Sequence, residues 1–219
     1  MSDKLPSSAS VAHADADAGP KLFAPAAARN VADITALLQT HAPKSGRAME
    51  VASGTGQHVV SFAGAMPRLH WQPTDIDPAR RASIDAHAAE AGLPNVARAI
   101  TLDATAADWG ERHAGQDLIV LINLLHLISA PAALCAINEM AVALSPGGKL
   151  VCYGPFKRNG QLTSAGDARF DAELRTADPE IGYKDSLDMR GWLGNAGLTI
   201  IAEVDMPANN LAFIAGKPA

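Results

Sequence analysis

The sequence predicts an α/β fold, a doubly wound and mainly parallel sheet with helices on both faces. Short apolar runs alternate along the chain with segments whose apolar residues recur at helical spacing, which is typical of consecutive βαβ units. One run, LIVLIN at residues 118–123, is apolar on both faces, as a central parallel strand covered by helices should be. Together with a closing hairpin, the pattern predicts seven strands, the last of them antiparallel.

The first half of the chain supplies four predicted strands and three predicted helices. A helix begins at Pro25, because proline suits a first helical turn, and it ends in the turn at residues 43–46. Asp77 and Pro78 open another helix as an N-cap followed by proline, and that helix stops at Gly92. The other elements of this half are a helix at residues 57–65 and strands at residues 47–52, 69–74, 96–102 and 118–123.

The second half continues the alternation and then closes the sheet. Its predicted elements are a helix at residues 131–144, a Pro-Gly-Gly turn at 146–148, a strand at 149–153, a helix at 164–176, a helix capped by Asp185 or Ser186 that ends at Gly197, and hairpin strands at 198–204 and 211–215. The connection over residues 154–184 is longer than an ordinary loop between a strand and a helix. Long connections beside a ligand-binding edge are often functional lids.

Polar residues follow several of the predicted parallel strands. Asp75, Asp103 and Asn123 each stand at or just after the end of a strand, and Glu50 lies at the end of the first one. Doubly wound sheets bind their ligands at this carboxyl edge. The sequence therefore predicts a binding edge rich in carboxylates.

The segment EVASGTGQH, residues 50–58, joins the first strand to the next helix. Gly54 and Gly56 permit a tight turn and a close approach of ligand to backbone. No Lys-Ser/Thr pair follows, so the segment is not a P-loop. Val59 stands where a dinucleotide-binding turn needs a small residue, and Glu50 would repel a pyrophosphate. The turn instead favours a positively charged ligand without phosphate, such as S-adenosylmethionine (SAM).

These features resemble the class I SAM-dependent methyltransferases, which share an acid-led glycine turn, acids after the second and third strands, and a Leu-Ser-Pro-Gly-Gly segment before the fifth strand. More narrowly, the chain resembles a family of small methyltransferase-like proteins known as a domain of unknown function. The matching segments are APAAARN (24–30), EVASGTGQH (50–58), WQPTDIDP (71–78), GLPNV (92–96), YGPFKRNG (153–160) and MPANN (206–210). They run from about Phe23 to the C-terminus. Ala52 departs from the pattern, because most class I enzymes carry a glycine there.

The resemblance implies a Rossmann-like class I methyltransferase fold that binds SAM and releases S-adenosylhomocysteine (SAH). It places Asp75 on the ribose hydroxyls, Asp103 and the Ala104 backbone on the adenine, and Glu50 near the ammonium group. The remaining implied cofactor-binding positions are Arg29, Asn30, Ala52, Ser53, Gly54, Thr55, Gly56, His58, Ile76 and Asn123. Arg29 is either a partner of the cofactor carboxylate or a solvated helix residue, and Asp103 has the alternative of a solvated surface acid.

Methyl transfer chiefly requires that the acceptor be held in line with the methyl group, and a base is needed only for some acceptors. His126 is the candidate base, with a purely structural histidine as the alternative. Lys157 and Arg158 are expected to meet an acidic group of the acceptor or, alternatively, to be solvated. Asn209, between the hairpin strands, is expected to direct its amide towards the same edge. No cluster of His, Cys and carboxylates has metal-ligand spacing, so no metal is expected.

The predicted function is transfer of a methyl group from SAM to a small-molecule acceptor. The alternatives are a methyltransferase that acts on protein or RNA, and a non-catalytic interaction protein with this fold. The net charge of −5 argues against nucleic acid or an anionic membrane as partner. We expect a monomer or homodimer.

The domain organisation predicted from composition is a disordered tail at residues 1–19 and a single methyltransferase-like domain at residues 20–219. The tail lacks apolar periodicity and the apolar core of a signal peptide. No stretch reaches the roughly 18 apolar residues of a membrane span. A cytoplasmic location is therefore expected, with Cys135 and Cys152 as reduced thiols.

Overall fold

A computed structural model describes residues 13–14 and 19–219 of the chain. The strands are β1 (His13–Ala14), β2 (Leu22–Phe23), β3 (Gly46–Val51), β4 (Leu69–Pro73), β5 (Gln116–Ile122), β6 (Leu144–Lys157), β7 (Lys184–Asp185), β8 (Thr199–Met206) and β9 (Asn210–Gly216). The helices are α1 (Pro25–His41), α2 (Gln57–Ala65), α3 (Pro78–Glu90), α4 (Trp109–Arg112), α5 (Ala130–Ala143), α6 (Ala165–Ala177) and α7 (Ser186–Asn195). A 3-10 turn, Leu125–Leu127, follows β5.

Within the described residues, the main sheet contains seven strands. Six of them lie in the order β4-β3-β5-β6-β9-β8, and β7 pairs with the end of β6. The strands β4, β3, β5 and β6 run parallel, whereas β9 is antiparallel to both β6 and β8. This topology confirms the predicted doubly wound, mainly parallel sheet with an antiparallel last strand.

The central strand β5 shows why helices cover both faces. Ile119 and Leu121 point to one face and join an apolar cluster with side chains of α4, α5 and α7. Leu118 and Val120 point to the other face and join a cluster with side chains of α1, α2 and α3. Because side chains alternate along a strand, an uninterrupted apolar run needs apolar partners on both sides.

The prediction of a third strand at residues 96–102 is wrong, because the structure has no continuous strand there. This segment follows the edge of β4 only through two isolated bridges, Trp71 with Val96 and Thr74 with Ile100. Backbone hydrogen bonds still join it to β4 near these bridges, as from the Ala97 N–H to the Trp71 carbonyl (2.9 Å). The pairing is interrupted in between, where the Gln72 amide donates to the Arg98 carbonyl (2.8 Å) and the Asp85 carboxylate accepts from the Ala99 N–H (2.8 Å). The seventh strand of the sheet is instead the two-residue β7, which the sequence pattern did not indicate.

Two other elements differ from the predicted boundaries. The Pro-Gly-Gly turn lies inside β6, which begins at Leu144, and the pairing register with β5 shifts between Gln116 and Leu118. The short helix α4 was not predicted. The predicted cap of α6 is confirmed, because the Ser164 hydroxyl accepts from the Asp167 N–H (3.1 Å).

The start of the described chain forms a small separate sheet, in which β1 pairs antiparallel with β2. Residues 1–12 and 15–18 of the predicted tail lie outside the described residues, so its disorder stays a prediction. Among the residues that are described, no helix has the length and apolarity of a membrane span. The same residues contain no group of three or more His, Cys, Asp or Glu side chains that could hold a metal ion.

Candidate functional site

A cleft of about 170 Å³ lies where β3 and β5 end, beside the first turn of α1. Half of the predicted cofactor-binding positions line it, namely Glu50, Ala52, Ser53, Gly54, Thr55, His58 and Asn123. They come from the β3–α2 turn, the start of α2 and the residue after β5. The carboxyl edge of the sheet therefore holds a cleft at the position that the sequence predicts.

Hydrogen bonds fix the β3–α2 turn against the end of β4. The Ser53 N–H donates to the Thr74 carbonyl (2.7 Å), and the Thr74 N–H donates to the Glu50 carbonyl (3.0 Å). Ala52, which replaces the usual glycine, adopts a left-handed φ of 55°, and Gly54 has a φ of 60°. The turn is thus built as the glycine pattern predicts, although one of its left-handed positions carries a methyl group.

Glu50 is the most unusual side chain of the cleft. Its carboxyl group is buried, and its Oε2 atom has no hydrogen-bond partner among the described residues. Burial is the main reason that the pKa of Glu50 is raised to about 8. A hydrogen bond with the Ser53 hydroxyl lowers this pKa, and the negative charge of Asp75 raises it further. An unpaired acid in a cleft is costly unless a ligand supplies a donor or a positive charge.

Asp75 stands just behind the turn, and its side chain is 2% exposed. Its carboxylate accepts hydrogen bonds from the Asp77 N–H (2.9 Å) and the Gly54 N–H (3.0 Å). Burial raises the pKa of Asp75, which these hydrogen bonds and Arg80 partly offset. The Arg80 guanidinium reaches within 3.9 Å of the carboxylate and itself lines the cleft. Asp75 therefore holds the turn in place from a position next to the cleft lining.

The two turn glycines serve different purposes. A Cβ atom at Gly54 would meet nothing within 4 Å, so only its positive φ requires glycine. A Cβ atom at Gly56, with φ +93°, would lie 2.7 Å from the Ile84 Cα atom of α3. Gly56 is not among the residues that line the cleft. Its glycine is therefore explained by close packing of the turn on α3, which sequence reasoning did not anticipate.

Five other predicted cofactor positions do not line the cleft, and one of them, Asn30, contacts the cleft-lining His58 from α1. Arg29 is exposed on α1, and Ala104 belongs to the apolar core. Asp103 is exposed, and its carboxylate accepts from the N–H (2.9 Å) and hydroxyl (2.6 Å) of Thr105 in a local turn. Ile76 is 57% exposed, which is unusual for a large apolar side chain. Asp77 caps α3 by accepting from the Ala79 N–H (2.8 Å), which confirms its structural role.

His126 lies in the 3-10 turn after β5, next to the cleft-lining Leu127. Its ring is buried and contacts the rings of Phe170 (5.8 Å between centroids) and Tyr183 (6.1 Å) edge-on. Burial, followed by the charge of Lys184, lowers the pKa of His126 to about 3. Such an imidazole stays neutral and is a weak proton acceptor, so the geometry favours the structural alternative over a catalytic base.

The predicted acceptor residues bond other parts of the fold and do not line the cleft. Lys157 lies 4.0 Å from Asp171 of α6. Arg158 donates to the Phe156 carbonyl (3.0 Å) and lies 3.5 Å from Asp205 of β8. The Asn209 amide donates to Asp167 of α6 (3.1 Å). These contacts join α6 to β6 and to the β8–β9 hairpin.

Several cleft residues were missed by the sequence reasoning. Arg80 and the apolar Ala27, Leu124 and Leu127 all line the cleft. The sequence did not indicate a role for Arg80, because an arginine in the first turn of a helix is usually exposed to solvent. The leucines follow the central strand directly, and that position could have suggested them.

A comparison with known families decides the classification of the chain. Residues 21–217 match the sequence profile of the family described as "Protein of unknown function (DUF938)". The chain belongs to the DUF938 family. The predicted resemblance to a methyltransferase-like family of unknown function is thereby confirmed.

Solved structures place this DUF938 protein in the class I SAM methyltransferase-like fold. An O-methyltransferase family protein from Burkholderia thailandensis is 19% identical with a TM-score of 0.76, and the match covers 89% of this chain and 57% of that one. An O-methyltransferase family 2 protein from Planctomyces limnophilus is 17% identical with a TM-score of 0.69, over 88% and 61% of the two chains. PigF with SAH is 15% identical with a TM-score of 0.72, over 87% and 55%. The DUF938 chain thus spans little more than half of each neighbour, and at these identities the likeness concerns the fold.

Proposed function

We propose that this DUF938 protein is a SAM-dependent methyltransferase that acts on a small molecule. The observation that carries the proposal is the buried Glu50 carboxyl, whose Oε2 atom has no partner at a cleft on the carboxyl edge of a methyltransferase-like sheet. A cationic ligand without phosphate can pair with this group as a carboxylate, whereas a nucleotide phosphate brings no positive charge to it. One neighbour of the same fold was solved with SAH and another in complex with apigenin, a small molecule.

Different residues at the carboxyl edge of the sheet suit different parts of SAM. Glu50 would hold the ammonium group, and the Gly54–Thr55 turn would lie against the methionine part. Ile76 offers an exposed apolar face beside Asp75 for the adenine ring. The ribose would reach the Asp75 carboxylate once the Arg80 side chain, 39% exposed, turns aside. When bound, the cofactor supplies an electrophilic methyl group on a sulfonium.

The acceptor side of the cleft is apolar. Ala27, Ile122, Leu124 and Leu127 line it, and the described lysine and arginine side chains other than Arg80 are absent from the lining. Such a wall excludes water from the reacting atoms and favours an uncharged acceptor. We propose that Lys157, Arg158 and Asn209 keep the α6 segment over this wall, and that His126 supports it from below as a neutral ring.

Binding of SAH tests the proposal directly. SAH should raise the melting temperature of the protein, and NAD and ATP should not, because the cleft has an acid where a phosphate would lie. Asp75→Asn should weaken SAH binding by roughly 1.5–3 kcal/mol, the range for a hydrogen bond to a charged group. Asp77→Asn is the matched control, since asparagine also caps a helix. No SAH binding to the parent protein would favour the non-catalytic alternative.

A double variant separates cofactor binding from acceptor positioning. Lys157→Ala with Arg158→Ala should leave SAH affinity within about twofold, because neither residue lines the cleft. Methyl transfer to any acceptor found should fall up to ~100-fold, since a displaced α6 segment misplaces the acceptor. Calorimetry and a transfer assay on the same protein measure both effects. Unchanged transfer would return both residues to a purely structural role.

A further inference from the structure

His58 occupies the second position of α2 and lines the cleft. Its ring is buried and stacks on Phe62, with 5.7 Å between the ring centroids. Its Nε2 atom lies 2.8 Å from the Oδ1 atom of Asn30 on α1. An amide oxygen can only accept, so Nε2 carries the proton and Nδ1 keeps its lone pair.

The Asn30 amide also lies beside the Tyr153 hydroxyl of β6. Burial raises the pKa of the Tyr153 hydroxyl, and a hydrogen bond with the Asn30 side chain lowers it. The contact of 2.8 Å places the amide oxygen of Asn30 on His58, and the NH₂ group is then the end of the amide that can donate to the phenol oxygen. Three elements, α1, α2 and β6, thus fix one tautomer of the imidazole.

The Nδ1 atom of His58 has no hydrogen-bond partner within the described part of the chain. The fully buried unpartnered side-chain atoms of that part are Glu50 Oε2 and Trp71 Nε1, so Nδ1 keeps contact with the cleft. The cleft therefore presents two acceptor atoms without protein donors among the described residues, Glu50 Oε2 and His58 Nδ1.

The ionisation of His58 decides which kind of ligand group it suits. Burial lowers the pKa of His58 to about 4, and a position at the N-terminus of a helix also disfavours a charged imidazole. A ring of this kind removes protons poorly at neutral pH. It suits a donor that keeps its proton, such as an ammonium group.

We propose that His58 Nδ1 accepts a hydrogen bond from the ammonium group of the cofactor, so that a neutral imidazole and the Glu50 carboxyl hold this group together. The proposal rests on the proposed function and adds a specificity determinant to it. An ammonium has three N–H donors, and one carboxyl group does not satisfy them all.

Two ligands and two His58 variants test the role. SAH carries the amino-acid part, whereas 5′-methylthioadenosine lacks it and shares the nucleoside. His58→Leu should weaken SAH binding roughly 10- to 100-fold and leave methylthioadenosine binding within about twofold. His58→Gln, which keeps an acceptor oxygen, should recover part of the loss. His70→Leu, at an exposed histidine of β4 outside the cleft lining, should behave as the parent protein in both measurements.

The outcomes separate this inference from the proposed function. If the parent protein binds SAH and His58→Leu binds it equally well, the inference is wrong while the proposed function stands. Equal weakening of both ligands would show a packing role and would also overturn it. Failure of the parent protein to bind either ligand would refute the function itself, and the inference with it. Should His58→Leu not fold, Asn30→Leu must show the same selective loss of SAH, several-fold in size.

Discussion

Gly56→Ala should destabilise the protein by roughly 2–5 kcal/mol, a large part of the stability of a typical domain. The new Cβ would lie 2.7 Å from the Ile84 Cα atom, and a main-chain atom of a packed helix cannot move aside as a flexible side chain can. The positive φ of 93° adds backbone strain for any residue with a side chain. Urea unfolding monitored by tryptophan fluorescence measures the loss.

Gly54→Ala is the matched control for this experiment. Its φ is +60° and its Cβ would meet nothing within 4 Å, so the cost should be only the roughly 1–2 kcal/mol of a left-handed alanine. Its methyl group would stand in the cleft and should reduce SAH binding. If Gly56→Ala unfolded like the parent protein and lost only SAH binding, the glycine would serve ligand approach, as the sequence predicts.

The sequence predicted the fold well where local chemistry and periodicity agree. Pro25, Pro78 and Ser164 mark helix starts by capping rules that depend on neighbours in the chain. The LIVLIN run indicated a strand buried on both faces without knowledge of its partners. These signals are local, and tertiary packing did not override them.

The failures concern features that depend on partners distant in the chain. Residues 96–102 have a strand-like composition, but their pairing with β4 is interrupted where the side chains of Gln72 and Asp85 bond the backbone of residues 98 and 99. The candidate site shows the same limit. The turn residues 50–56 were predictable as a motif, whereas the bond between His58 and Asn30 joins residues 28 positions apart. Motifs indicated which residues form the site, and contacts were needed to assign what each one does.

Glu50→Gln should stabilise the ligand-free protein at pH 8 and weaken its binding of SAH. Burial holds the pKa of Glu50 near 8, whereas in the unfolded chain it lies near the ordinary 4.5. Between these two values the unfolded chain loses the proton and the folded chain keeps it. Stability of the parent protein therefore falls as pH rises from about 4.5 to about 8.

Glutamine has nearly the shape of a protonated glutamate and does not titrate, so it removes this pH-dependent cost. The free energy of unfolding of Glu50→Gln should match that of the parent at pH 4.5 and exceed it by roughly 3–5 kcal/mol at pH 8. Urea unfolding at several pH values between these limits measures the difference. A gain that is the same at pH 5 and pH 8 would show that Glu50 is not held as a neutral acid.

The expected loss of SAH binding also depends on the proton that the buried Glu50 carboxyl carries in the ligand-free protein. An ammonium group placed against Glu50 favours the carboxylate, so SAH binding to the parent protein at pH 7 should release a proton. Calorimetry in two buffers with different ionisation enthalpies should therefore give different apparent binding enthalpies for the parent protein. That difference should shrink for Glu50→Gln, and SAH affinity should fall by roughly 1.5–3 kcal/mol.

Asp75→Asn serves as the control for a neighbouring acid, because it leaves Glu50 in place and should retain the proton release. Equal enthalpies in both buffers for the parent protein would place the ammonium group away from Glu50.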